Sequence, residues 1–174
     1  MSTLKVDTIQ DTGGSAYGFI KQVVQATKTD TASRASASYA DITGYSASIT
    51  PSSTSSKILI IAYMNLSGVD TIHLKLRRGS TDILLGDAAT GKTQVTHHFY
   101  GGDLSSGEGY FGMHANTITY LDSPSTTSST TYSFQWKSSS TNNTIYINRT
   151  GYDGSSSQYD GRAASTIQLL EVAA

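Results

Sequence analysis

The chain has 174 residues, long enough for one domain with a real core, and 12 basic against 13 acidic residues give it a formal net charge of −1. That balance leaves no basic footprint for nucleic acid, and the absence of cysteine excludes disulfides, thiolate metal sites and cysteine nucleophiles. Serine and threonine supply 51 of the 174 residues while charged residues make up 14%, against about 25% in an ordinary domain, so the surface is rich in hydroxyls rather than charge.

In chain order, Leu4 and Val6 alternate with Lys5 and Asp7, the period of a half-buried strand, before Gly13 and Gly14 provide a hinge. A lone strand buries nothing by itself. The expectation is an N-terminal arm and hinge over residues 1–17, followed by a sandwich domain over 18–174. The arm would add a strand to a neighbour through Leu4, Val6 and Ile9; the alternative is an edge strand of the domain's own sheet. Strands are then predicted over Gly18–Thr29 and over Tyr39–Pro51, the latter interrupted at Gly44 by a bulge, with Thr29–Ser38 as a polar connector of weak helical or loop character. Lys57–Leu66 is nearly all apolar and reads as a buried strand. Ile72, Leu74 and Leu76 alternate strictly with His73, Lys75 and Arg77, and a hairpin-like loop leads to Asp82–Leu85.

Further strands are predicted at Thr93–Gly102, at Tyr110–Asp122, and at Thr131–Ser138, where Tyr132, Phe134 and Trp136 share one face. A "TIYINRT" strand, the long loop Gly151–Gly161 and a last strand in "STIQLLEVAA" complete the chain. Both prolines, Pro51 and Pro124, fall in turns, as strand physics requires. Nine or ten short strands with turn clusters between them, and no amphipathic helix, predict an all-β fold. The expected architecture is an antiparallel β-sandwich, jelly-roll-like, with an extended N-terminal arm. No stretch approaches the ~20 apolar residues of a membrane span, and the N-terminus lacks a signal-peptide core, so an untargeted product is expected.

The opening "STLKVDTIQDTGG" resembles the N-terminus of small structural proteins of marine and cyanobacterial tailed phages. "ITPSSTSSKILI", "LRRGSTDILLGDAA", "YLDSPSTTSSTTYSFQ", "INRT" and "RAASTIQLLEV" resemble the same group in order along the chain. The resemblance implies a non-enzymatic virion component, made in the host cytoplasm. It would be a homotrimeric tail fibre or appendage subunit joined to other virion proteins by its arm and contacting host cell-surface polysaccharide. A capsid decoration protein, either cement or head fibre, is the alternative. Neither nucleic acid nor membrane insertion is expected.

The chemistry-bearing residues are sparse. His97 and His98 are adjacent, so on a strand they face opposite ways and cannot share an ion. The His-X-His spacing through which some phage fibre trimers hold iron is absent. No G-x-S-x-G elbow is present, and loop acids such as Asp103, Glu108, Asp153 and Asp160 are ordinary turn residues unless a bound sugar lies between a pair of them. No catalytic residue, cofactor or metal is therefore expected. Tyr152–Gly154 and Tyr159–Gly161 repeat Tyr-Asp-Gly, which reads as turn chemistry, as a sugar-contacting loop, or as a calcium loop through Asp153 and Asp160, though no calcium-loop spacing supports the last. The candidate glycan contacts are Tyr100, Tyr110, Tyr152, Asp153, Tyr159 and Asp160.

Overall fold

The computed structural model describes residues 19–102, 108–155 and 158–173. The arm residues Leu4, Val6 and Ile9 lie outside these. Eleven strands and one helical turn follow in order: β1 (Ile20–Lys28), β2 (Ala32–Arg34), β3 (Ala40–Ile49), β4 (Lys57–Gly68), β5 (Thr71–Arg78), β6 (Thr81–Ile83), β7 (His97–Tyr100), α1 (Glu108–Phe111), β8 (His114–Asp122), β9 (Thr130–Ser138), β10 (Ile145–Ile147) and β11 (Ser165–Val172).

All pairings are antiparallel and fall into two sheets. In the first, β4 has β8 on one edge, while β11 and then β10 share its other edge, backed in turn by β1 and β2. In the second, β9 lies between β3 and β5, and β7 and β6 share the far edge of β5. Counting each end-to-end couple as one strand gives four positions per sheet. The couplings β1 with β11, β3 with β9, β4 with β8, and β5 with β6 and β7 are those of one long hairpin rolled up on itself. That is a jelly-roll β-sandwich.

The core fills the space between the sheets with alternate residues of each strand. Ile58, Ile60, Met64, Leu66, Ile167 and Leu169 come from the first sheet, and Ile72, Leu74, Leu76, Tyr132, Phe134 and Trp136 from the second. Trp136 is thus a core residue. At Gly44 (φ 76°) the pairing of β3 with β9 shifts register, so Ile42 and Tyr45 both turn inward across the bulge. The Tyr45 hydroxyl then reaches the first sheet, 2.7 Å from the carbonyl of Thr166 and 3.1 Å from that of Tyr63. Burial pushes this phenol well above its ordinary range.

Three predicted elements need correction. The connector Thr29–Ser38 contains β2, a strand paired with β10. The strand predicted over Thr93–Gly102 shrinks to β7, because the Thr96 hydroxyl donates to the Ile83 carbonyl and accepts from the Leu76 amide, replacing ladder bonds there. The strand predicted from Tyr110 begins at His114, after a helical turn.

The sandwich has two distinct ends. The base gathers the start of β1 at Phe19, the end of β11, the β3–β4 turn and the β8–β9 connection. The tip gathers the β4–β5 turn, the β9–β10 loop, α1 and the β10–β11 loop. The 12 residues of β4 run from one end to the other, about 36 Å at strand rise.

Candidate functional site

The tip is built on a buried carboxylate. Asp70, in the β4–β5 turn, accepts hydrogen bonds from the Thr71 amide (2.6 Å), the Ser138 hydroxyl (2.6 Å), the Ser140 amide (3.1 Å) and the Ser139 hydroxyl. Burial alone would raise its pKa, but the Ser138, Ser139, Thr71 and Ser140 donors outweigh it and hold the group below its usual range. This knot fixes the loop after β9 to the turn before β5. Beside it Gly68 (φ 137°) and Gly101 pass so closely that a Cβ on Gly101 would overlap the Gly68 backbone.

Over this support lies an open groove of about 220 Å³, lined by Val69, Tyr110, Asn142, Asn143, Thr144 and Tyr146. Its rim continues into a cluster of rings. Phe111 stands with its ring centre 6.3 Å from Tyr110, 5.7 Å from Tyr152 and 5.4 Å from Tyr159, all tilted, and all four rings are exposed. The Tyr152 amide donates to the Tyr110 carbonyl at 2.7 Å, which stitches the two loops together. Arg149 spreads over the Tyr146 ring at 4.4 Å and also pairs with Asp153 at 2.8 Å, while Arg162 closes on the other Asp153 oxygen. The hydrogen bond from Arg162, opposed by burial and helped by the charges of Arg149 and Arg162, holds Asp153 below the usual carboxylate range.

Of the sequence candidates, Tyr110, Tyr152, Asp153 and Tyr159 therefore meet at one end. Asp160, half-buried, follows Tyr159 in the same loop. Asp153 works as an anchor for two arginines rather than as a free sugar ligand. Tyr100 is elsewhere: it is exposed on the outer face of the second sheet, opposite Thr71. Asp103 and the side chain of Glu108 lie outside the described residues. Sequence reading missed Phe111, the centre of the ring cluster, because its stretch reads as strand, and it missed Tyr146 as a partner of Arg149.

The outer face of the second sheet holds a second group that sequence reading missed. His98 on β7 stacks on His73 of β5 at 5.1 Å between ring centres, and Lys137 of β9 is the register partner of His73 on its other side. Lys137 and Lys75 lie over the Tyr39 ring at 5.2 and 4.7 Å. Burial, and then the charges of Lys137 and His98, push the His73 pKa down, with Asp70 opposing. His97 points the other way, its Nε2 2.9 Å from the Asn116 amide oxygen, so the two adjacent histidines do face apart. Among the described residues no three histidine or carboxylate side chains are gathered so as to hold a metal ion.

No protein-family model and no curated protein matches the chain.

Proposed function

We propose that this protein is a non-catalytic component of a phage virion, a homotrimeric tail-fibre subunit that is anchored at its base and contacts host-surface carbohydrate at its tip. One observation carries this: Phe19, where the described residues begin, and the ring cluster lie at opposite ends. The described body begins at Phe19 on the base, and Tyr110, Phe111, Tyr152 and Tyr159 crown the tip at the far end of β4. A fibre subunit needs that polarity. The phage setting itself comes from the resemblance of the sequence segments quoted above.

Exposed aromatic rings beside amide-rich walls (Asn142, Asn143) suit a sugar, whose C–H faces stack on rings while its hydroxyls exchange hydrogen bonds with amides. Asp153, engaged by two arginines, is poorly placed for acid–base work, which supports binding over cleavage. Self-association finds support in an apolar strip on the outer face of the first sheet. There Val23, Leu170, Leu59 and Leu121 are successive register partners across four strands, and Val23 and Leu121 are exposed. The strip lies near the base, where the described residues begin, and its occupant in this account is a second copy of the chain.

The test is deletion of residues 2–12. The truncated chain is expected to fold and keep its sugar binding but to be missing from particles. Incorporation at normal copy number would overturn the anchoring role.

A further inference from the structure

The tip leaves the second sheet's outer face unexplained. One row on this face runs from Tyr39, just before β3, through Lys137 on β9 and His73 on β5 to His98 on β7, each beside the next. Tyr100 flanks the row on β7, two residues from His98 on the same face. Among the described residues the carboxylates nearby are already engaged: Asp82 pairs with Lys75 (2.6 Å) and Arg77 (3.2 Å), Asp41 accepts from Gln135 (2.9 Å), and Asp70 is held by its own loop. Lys137 and His98 have no carboxylate partner among the described residues. Two polar atoms of the row, Tyr39 Oη and His73 Nδ1, are buried and make no hydrogen bond among the described residues. Native structures pair nearly all such atoms, so each exception calls for a partner from outside the chain or another explanation. In a chain of net charge −1, Lys137 brings a positive charge with no carboxylate partner among the described residues, and the two imidazoles beside it add hydrogen-bonding nitrogens.

We propose that this row is a second carbohydrate-binding surface, separate from the tip, that takes an acidic polysaccharide. A carboxylate or sulfate group would be held by Lys137, His73 and His98, with the sugar rings against Tyr39 and Tyr100. Flanking aromatics select a glycan over a bare anion, and Lys137 supplies charge-assisted hydrogen bonds. The host-carbohydrate reading above enters only in the choice of polymer; the site itself stands on residues the tip does not use.

Titration calorimetry on the full chain tests this with three probes: oligogalacturonate for carboxylate, dextran sulfate for sulfate, and dextran as the neutral control. At least one acidic probe should bind while dextran does not bind this face, and binding should weaken at least about tenfold between roughly 50 and 300 mM salt. Lys137→Ala and His98→Ala, both outward-facing, should each weaken it about tenfold, and Lys137→Arg should restore most of it. Unchanged melting curves confirm that these variants fold. Galacturonate alone or dextran sulfate alone identifies the group recognised. No binding of either acidic probe, or binding indifferent to Lys137→Ala and His98→Ala, overturns the proposal. If acidic binding instead disappears in a Tyr152→Ala, Tyr159→Ala variant with Lys137 intact, the tip stands and this surface falls.

Discussion

Base and tip are locked by the same chemistry and then present different surfaces. At the base, the fully buried Glu171 accepts from the Ser52 amide (2.7 Å), the Ser52 hydroxyl (2.6 Å) and Gln22 Nε2 (2.7 Å), tying β1, β11 and the β3–β4 turn together. Beside it Asp122 takes both its oxygens to Arg78 Nη1 at 2.9 Å and accepts the Tyr132 hydroxyl at 2.6 Å. At the tip, Asp70 plays the corresponding part with Thr71 and Ser138–Ser140. The serine excess is therefore partly structural, since hydroxyls are what allow carboxylates to be buried without a full complement of cations. The ends differ in what they carry outward. The base offers a flat apolar strip on rigid strands, suited to another flat protein surface, whereas the tip offers rings on loops around a groove, suited to a small ligand.

The strongest blow to that contrast is a substitution that removes one lock. Gly101→Ala forces a Cβ into the Gly68 backbone and should cost about 3 kcal/mol, read as a shifted urea midpoint with loss of the tip's sugar binding. Asp122→Ala strands Arg78 and the Tyr132 hydroxyl at the base and should also cost about 3 kcal/mol, yet leave sugar affinity intact in the folded fraction. Equal loss of binding in both variants would mean the ends are not independent.

A smaller effect comes from pH. Burial alone would raise the Glu171 carboxyl, but hydrogen bonds from Ser52, Ser56 and Gln22 hold it at about 2. Because the folded value lies below the unfolded one, the charged form stabilises the fold above the unfolded carboxylate range, near 4.5. That contribution drains away as pH falls through about 2. Glu171→Gln should flatten this part of the stability–pH curve; an unchanged acid limb would show that the base knot is not what fails.

Self-association should respond to the strip alone. Val23→Glu with Leu121→Glu is expected to turn a trimer into a monomer by light scattering, with stability changed by less than about 1 kcal/mol at these exposed positions. The smallest change in stability, within about 0.5 kcal/mol, is expected for Tyr152→Ala with Tyr159→Ala, which should nevertheless weaken sugar binding at least about tenfold.

How far the sequence foretold this depends on the range of the interaction. Strands with strict alternation, such as β5 and β9, were legible because a buried face imposes a period of two on neighbouring residues. β2 was not, since Ala32–Arg34 has no apolar alternation and exists through its pairing with β10. The loops bearing Tyr110, Tyr152 and Tyr159 could be suspected from composition, but their meeting around Phe111 depends on how the tip closes. The row from Tyr39 to His98 was invisible for a stricter reason. It joins residues far apart in the chain through register across adjacent strands, and register is a tertiary outcome.

The central claim is polarity, and imaging the intact virion at subunit resolution tests it most directly. The account predicts trimers on the tail, with Phe19 and the base toward the particle and the Tyr110–Phe111–Tyr152–Tyr159 cluster pointing away. Chains studding the capsid lattice in large numbers, or trimers whose ring cluster is buried against another virion protein, would contradict it.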